Sequence, residues 1–368
     1  MNTSITKYNC ITNIGHNIDE VYQNAINGTT DKIVPNTQIA KGKTFNVGMV
    51  SDNNIKIDNP NYDLKCNRLL VECIEPMKDY IFELKKQNKK IGIICATTNS
   101  GVEEFETSQN PIHSEIGNPA VFLKEYLGTN NYTACVSTAC TSGIKAFSLA
   151  RNLLNSKLCD AVIVAGIDTL AKVPLYGFAS LEVLSEKHTN PMSKNRSGIN
   201  IGEGVAVFVV ENSDSGIGIL GIGETTDTYH STTPDPKATE AIRAIKLALN
   251  DAKLKPQDID YINLHGTGTI ANDLTEARAI GKIFKNTFCS STKPMTGHCL
   301  GASSSVESAL CCALIDKGGF YPHIYDGEYD ESLPKINLSN PPKETKICMN
   351  NAFGFGGTNA IMILGRGK

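Results

Sequence analysis

The sequence predicts an α/β fold with layered sheets, arranged as two similar halves of one 368-residue chain. Three observations predict it. Strand-like apolar runs alternate with helix-like runs. Each half holds one apolar helical run rich in small residues, and small faces let two such helices pack closely in the middle of a molecule. Between them falls a polar break, NSDSG at 212–216, which divides the chain into residues 1–212 and 213–368. The symmetry lies in the order of elements, since no sequence repeat is detectable.

The elements follow in order. KKIGIICATT (89–98) reads as a buried strand. TSGIKAFSLARNLLNS (141–156) reads as a helix, with apolar positions at Ile144, Phe147, Leu149, Leu153 and Leu154. CDAVIVAGID (159–168) and GVAVFVVEN (204–212) are further buried strands. ATEAIRAIKLALNDAKL (238–254) is an amphipathic helix, followed by the strand IDYINLHG (259–266). ASSSVESALCCALIDKG (302–318) is a second, largely buried helix. KICMNNAFGFGGTNAIMIL (346–364) closes the chain with two strands around a Gly-rich turn. GIGILG (216–221) matches the dinucleotide fingerprint, but the polar IGETTDTYHSTTPDP follows it where a helix should open. Its alternating apolar residues read as a strand instead.

Composition narrows the function classes. A formal net charge of −3 gives no reason to expect nucleic acid or a membrane surface as the main partner. MNTSITKYNC lacks the apolar centre of a signal peptide, and no apolar run approaches the length of a membrane span. The expected location is therefore the cytoplasm, where the twelve cysteines stay reduced. Without a C-x-x-C pair, no structural zinc site is expected. Most cysteines read as small core residues, Cys311 and Cys312 most clearly.

Cys140, in VSTACTSGIKAF (136–147), has a different setting. Small neighbours surround it and a helix opens just after it. A helix N-terminus offers partial positive charge and unpaired N–H groups, which lower a thiol pKa. On local sequence alone, a nucleophile and a buried structural cysteine both fit, the structural reading slightly better. Two histidine segments change the balance. In NLHGTGT (263–269), His265 ends a strand and enters a Gly/Thr loop. In STKPMTGHCLGA (291–302), Lys293 stands five residues before His298. Such loops on a rigid scaffold are where catalytic groups tend to occur, whereas His16, His113, His188 and His323 read as satisfied structural residues. NNAFGFGGTNA (350–360) is the fourth element: a plain hairpin on its own, or a turn whose backbone N–H enters a site and whose Phe355 swings as a gate.

Together, STACTSG, HGTGT, STKPMTGH and FGFGGTN resemble the elongating β-ketoacyl-acyl carrier protein synthases of the thiolase superfamily. The order Cys, His, Lys, His, Gly-rich turn is theirs. GINIGEGVAVFVVE (198–211) resembles their strand before the second half, TTDTYHSTTPDP (225–236) their loop beside the active-site entrance, and NCITNIGHNI a less apolar version of their first strand. The chain is short for that family, trimmed before Cys140 and between Cys140 and His265. Compact members resembling it serve special pathways, notably aryl polyene synthesis.

The resemblance implies a thiolase-like layered fold, with central buried helices between two mixed sheets. It implies decarboxylative condensation of an acyl group on Cys140 with malonyl-acyl carrier protein, in fatty-acid, aryl polyene or related polyketide synthesis. His265 and His298 would stabilise the enolate, and Lys293, compensated by Glu307, would order the site. The backbone N–H groups of Cys140 and Phe355 would form the oxyanion hole, with Thr267, Thr269, Gly356 and Gly357 in support. Substrates would ride on the phosphopantetheine of an acyl carrier protein, with no metal or other cofactor required. Lys65 and Arg68 would meet that acidic carrier, and the chain would pair with itself or with a related subunit. Three rivals remain. A thiolase would need a second cysteine near the Gly-rich turn, which FGFGGTN lacks. A cysteine acyl hydrolase or transferase would need neither Lys293 nor a second histidine. A pocket-shaping partner subunit usually lacks the nucleophile.

Overall fold

A computed structural model describes the chain except for residues 1, 2, 38–41, 43, 52, 54, 367 and 368. Its strands are β1 (Thr3–Thr12), β2 (Ile33–Asn36), β3 (Phe45–Gly48), β4 (Ile91–Ala96), β5 (Thr133–Val136), β6 (Ala161–Asp168), β7 (Ile201–Gly202), β8 (Gly204–Asn212), β9 (Ile217–Thr226), β10 (Tyr261–Asn263), β11 (Phe288–Ser290), β12 (Ile347–Gly354) and β13 (Thr358–Gly365). Continuous apolar runs such as AVIVAGID make strands buried along their whole length, as β6 is. The short β2, β3 and β7 form a small separate sheet.

The two halves repeat one topology. In the first, the strands lie in the order β1-β8-β6-β4-β5; in the second, β9-β13-β12-β10-β11. In both, the first strand of the half is followed in space by its fifth, fourth, second and third. In both, the outer two pairings are parallel and the inner two antiparallel. The two expected sheets are joined edge to edge, because β1 pairs with β9 at Ser4–Gly218 and Ile5–Ile217, giving one ten-stranded sheet. The turn at 213–216 makes the join. Gly216 takes a φ of 93°, and a Cβ there would sit 2.3 Å from Ile5 O.

The helices Ser142–Asn155 and Ser303–Lys317 lie between the half-sheets, each linking the third strand of its half to the fourth. Phe147, Leu310 and Leu314 share a core with Val164 and Phe208 of the first half and with Ala352, Met362 and Leu364 of the second. The helices approach closely at their N-termini. A Cβ on Gly143 would lie 2.6 Å from Ser305 N. The small residues noted in both runs are what permit this.

Some boundaries differ from the sequence reading. The strand expected over 259–266 is ladder-paired only at Tyr261–Asn263, and beyond it the N–H groups of His265 and Gly266 donate to Glu276 rather than to a neighbouring strand. The polar opening TSITKYNC is the start of β1, paired on one side with β8 and on the other with β9.

Candidate active site

Cys140 follows β5 and precedes the helix that starts at Ser142. Ala139 adopts a left-handed φ of 53°, a sharp bend that turns the next side chain inward. Ser142 secures the bend: its Oγ accepts from Thr138 N–H at 2.9 Å and donates to Ala139 O at 2.6 Å. The Cys140 side chain is 8% exposed, and its Sγ lies 3.0 Å from His298 Nε2. The expectation that the helix end lowers the thiol pKa is corrected here. Burial pushes the thiol up to about 12, with Lys293 only partly opposing it. Desolvation of the thiolate outweighs the nearby positive charge.

The histidines come from the second half. The rings of His265 and His298 stand 5.4 Å apart and nearly perpendicular. The nearest ligand-type atoms of Cys140, His265 and His298 all lie within 4.8 Å of one another. His265 is held through its backbone: its N–H and that of Gly266 donate to the Glu276 carboxylate at 2.8 and 2.7 Å, and Asn351 Nδ2 donates to it at 3.1 Å. His298 donates its N–H to Asn200 O at 2.7 Å and accepts from Gly202 N–H at 3.0 Å. Both rings are buried. Burial, with Lys293 close by, holds their pKa values well below the ordinary histidine range, so both are neutral at pH 7.

Behind them, Lys293 is 1% exposed and paired with Glu307, itself buried. Burial raises the Glu307 carboxyl to about 7 against the pull of Lys293. A buried charge needs such a partner. Neither residue lines the open cavity of about 320 Å³ in front of Cys140. Cys140, His265, His298, Thr267, Thr269, Phe355 and Gly357 do. Thr267 and Thr269 share a hydroxyl contact of 3.1 Å, and Thr269 Oγ1 caps the helix Ile270–Ile283 by accepting from Asn272 N–H. The Phe355 ring packs 5.6 Å from that of Phe178. Its turn is pinned to the loop opposite: Gly356 N–H donates to Ser231 O, and Asp227 N–H to Gly357 O, each at 2.7 Å. Gly357 has a φ of 78°, and a Cβ on it would fall 1.8 Å from Asp227 O.

Of the two residues expected to meet a carrier, Lys65 does not stand free at the surface. Lys65 is only 9% exposed, and its Nζ lies 2.7 Å from Glu203 Oε1, a fully buried carboxylate that also accepts from Val50 N–H and Leu170 N–H. Arg68 donates to Asp63 Oδ1 at 2.9 Å and lies 3.9 Å from Glu104. Lys65 is therefore spent on an internal pair, while Arg68 is half-buried beside carboxylates of the same chain.

Three residues that the sequence reading passed over support the site. Glu276 fixes the His265 loop, as above. Asp168, at the end of β6, accepts from Thr98 N–H, Asn99 N–H and, at 2.6 Å, Gly301 N–H, tying the first half to the segment after His298. Ser303 contacts His298 directly. An acidic residue following a catalytic loop is the only sequence signal among these.

Comparisons with known proteins agree with this geometry. The family Beta-ketoacyl synthase, N-terminal domain, matches residues 63–215, and Beta-ketoacyl synthase, C-terminal domain, matches residues 218–325. The 3-oxoacyl-(acyl-carrier-protein) synthase 2 of Coxiella burnetii is 38% identical over 253 residues, 63% of this chain and 61% of its own, so this match spans less than two thirds of that relative. The 3-oxoacyl-(acyl-carrier-protein) synthase 2 of Staphylococcus aureus is 28% identical over 406 aligned positions, covering 98% of this chain and 99% of its own. Among solved structures, a chain of the ketosynthase (ApeO)–chain length factor (ApeC) complex from Xenorhabdus doucetiae superposes with a TM-score of 0.94 at 33% identity, covering 99% of this chain and 98% of that one. With both family halves matched in order and a solved relative covered end to end, the chain belongs to the β-ketoacyl synthase family.

Proposed function

We propose that this chain is a condensing acyltransferase in which Cys140 carries the acyl group and His265 and His298 stabilise the enolate of a malonyl thioester. The observation that carries the reading is the convergence of one thiol and two neutral imidazoles on one cavity, with Cys140 Sγ 3.0 Å from His298 Nε2.

Cys140 attacks the acyl thioester. The tetrahedral oxyanion is held by the backbone N–H groups of Cys140 and Phe355, one such donor typically contributing about 3–4 kcal/mol. On collapse the C–S bond to pantetheine breaks, and the thiol proton leaves with the pantetheine sulfur. A malonyl thioester then enters. Its C2–carboxylate bond breaks, CO2 departs, and the electron pair moves onto C2 and the thioester oxygen. Neutral N–H donors from His265 and His298 suit that oxygen, whereas carboxylates would repel it. The enolate carbon attacks the acyl-enzyme carbonyl, the bond to Cys140 breaks, and the thiolate takes up one proton. The sequence is redox-neutral and calls for no resident metal or redox group. Phe355 gates the malonyl side, and Lys293 with Glu307 orders the histidines from behind.

The substrates are read as acyl and malonyl groups on an acyl carrier protein, from the names of the relatives. The pathway is read as fatty-acid, aryl polyene or related polyketide synthesis, in the cytoplasm. The solved relative is a complex of a ketosynthase with a chain length factor, so a related subunit is proposed as partner, with a second copy of this chain as the alternative. Residues 1–212 are taken as the nucleophile-bearing half and 213–368 as the half bearing the histidines. The test is incubation with an acyl-pantetheine thioester and peptide mass mapping. One acyl adduct is expected, on Cys140. Adducts on Cys311 or Cys348 with Cys140 free would overturn the assignment.

A further inference from the structure

We propose that Ser303 fixes the tautomer of His298, placing its ring proton on Nε2, the nitrogen that faces Cys140. The functional consequence rests on the condensing reading above; the tautomer itself rests on the hydrogen-bond geometry of a buried, neutral ring.

Ser303 is the first residue of the central helix Ser303–Lys317. Its Oγ lies 2.6 Å from His298 Nδ1, while the other ring nitrogen, Nε2, lies 3.0 Å from Cys140 Sγ. Both residues are buried. A neutral imidazole has one donor and one acceptor nitrogen, and a hydroxyl has a single proton to give. If Nδ1 carried the proton, it would donate to Ser303 Oγ, and the serine hydroxyl would need an acceptor of its own. No other hydrogen-bond partner of Ser303 Oγ exists among the described residues. A buried donor left without an acceptor is costly. With the serine O–H donating to a bare Nδ1 the proton sits on Nε2, and the donor left without an acceptor is the Cys140 S–H; a thiol is a much weaker donor than a hydroxyl, so this arrangement costs less than stranding the serine proton.

That tautomer decides a role. With Nε2–H toward Cys140, His298 is a donor for a thiolate or an enolate oxygen, as condensation requires. In the opposite tautomer it would accept the thiol proton and act as the base of a cysteine hydrolase. Nothing comparable holds His265, whose Nδ1 is buried without a partner. The lock is therefore specific to His298, and Ser303 is a positioning residue.

The test is nitrogen NMR of the protein labelled with 15N-histidine, with the His298 resonances identified by their absence in H298A. The wild type should show a protonated Nε2 and a hydrogen-bonded, unprotonated Nδ1. S303A should populate the Nδ1–H form and lower CO2 release from malonyl-pantetheine about tenfold, the worth of one hydrogen bond, with a smaller effect on acyl loading. S303T, which keeps the hydroxyl, should restore both. A wild-type His298 protonated on Nδ1, or an S303A spectrum identical to wild type, overturns the proposal. A wild type with Nε2–H that releases no CO2 would remove the condensing reading and leave the tautomer assignment standing.

Discussion

His265 and His298 are neutral because they are buried near Lys293, and two predictions follow at the scale of single residues. The first concerns chemistry. Replacing either histidine by Ala should largely preserve acyl loading of Cys140 and slow CO2 release on the order of a hundredfold, equivalent to roughly 3 kcal/mol of lost transition-state stabilisation. Loading assayed with an acyl-pantetheine, beside CO2 release from malonyl-pantetheine, checks it. The second concerns stability. A histidine whose folded pKa is depressed binds its proton more readily unfolded, so its stabilising effect is present above pH 6.5 and is lost as pH falls below that. H298Q should therefore lose less unfolding free energy than wild type between pH 6.5 and 5.5, by up to about 1.0 kcal/mol, measured by urea denaturation at each pH. Lys65 belongs here too. K65A leaves the buried Glu203 without its cation and should destabilise the fold by about 3 kcal/mol; carrier affinity per molecule of folded protein should not change.

At the scale of elements, the Gly-rich turn and the loop opposite it form one unit, joined by the Gly356–Ser231 and Asp227–Gly357 hydrogen bonds. F355A should uncouple the half-reactions, so that malonyl decarboxylation proceeds without an acyl-enzyme and the ratio of CO2 to condensed product rises above one. G357A forces a Cβ into Asp227 O and should impair loading as well as gating. Elements with continuous apolar runs, β4, β6 and β8, were legible in the sequence because burial on both faces needs such runs. The two central helices were legible by their small residues. The beginning of β1 was not: TSITKYNC reads as polar, and only its neighbours β8 and β9, some 200 residues away, reveal it as a strand. The same distance hid the site's supports. Lys65 looks like surface until Glu203 is placed against it, and Asp168 reaches Gly301 across 133 residues. Cys140, the two histidines and the turn were found because short motifs with fixed spacing mark them. Their environment was not, and the thiol raised rather than lowered in pKa shows what burial adds.

At the scale of the whole molecule, the two halves share one topology and divide the chemistry. The thiol comes from the first, the imidazoles, the lysine and Phe355 from the second, and Cys140, His265, His298 and Phe355 all line one cavity. Neither half is expected to act alone. Two chains per particle are expected, either two copies or this chain with a related subunit, which sedimentation equilibrium of the purified protein with and without that subunit would report. Condensation itself is read out by product analysis. The wild-type protein is supplied with an acyl carrier and a labelled malonyl carrier, and both CO2 and the carrier-bound product are weighed by mass spectrometry. A β-ketoacyl product two carbons longer than the starting acyl group is expected, with one CO2 released per product, and none from C140A. Release of the free acyl acid with no CO2 and no lengthened chain would contradict it.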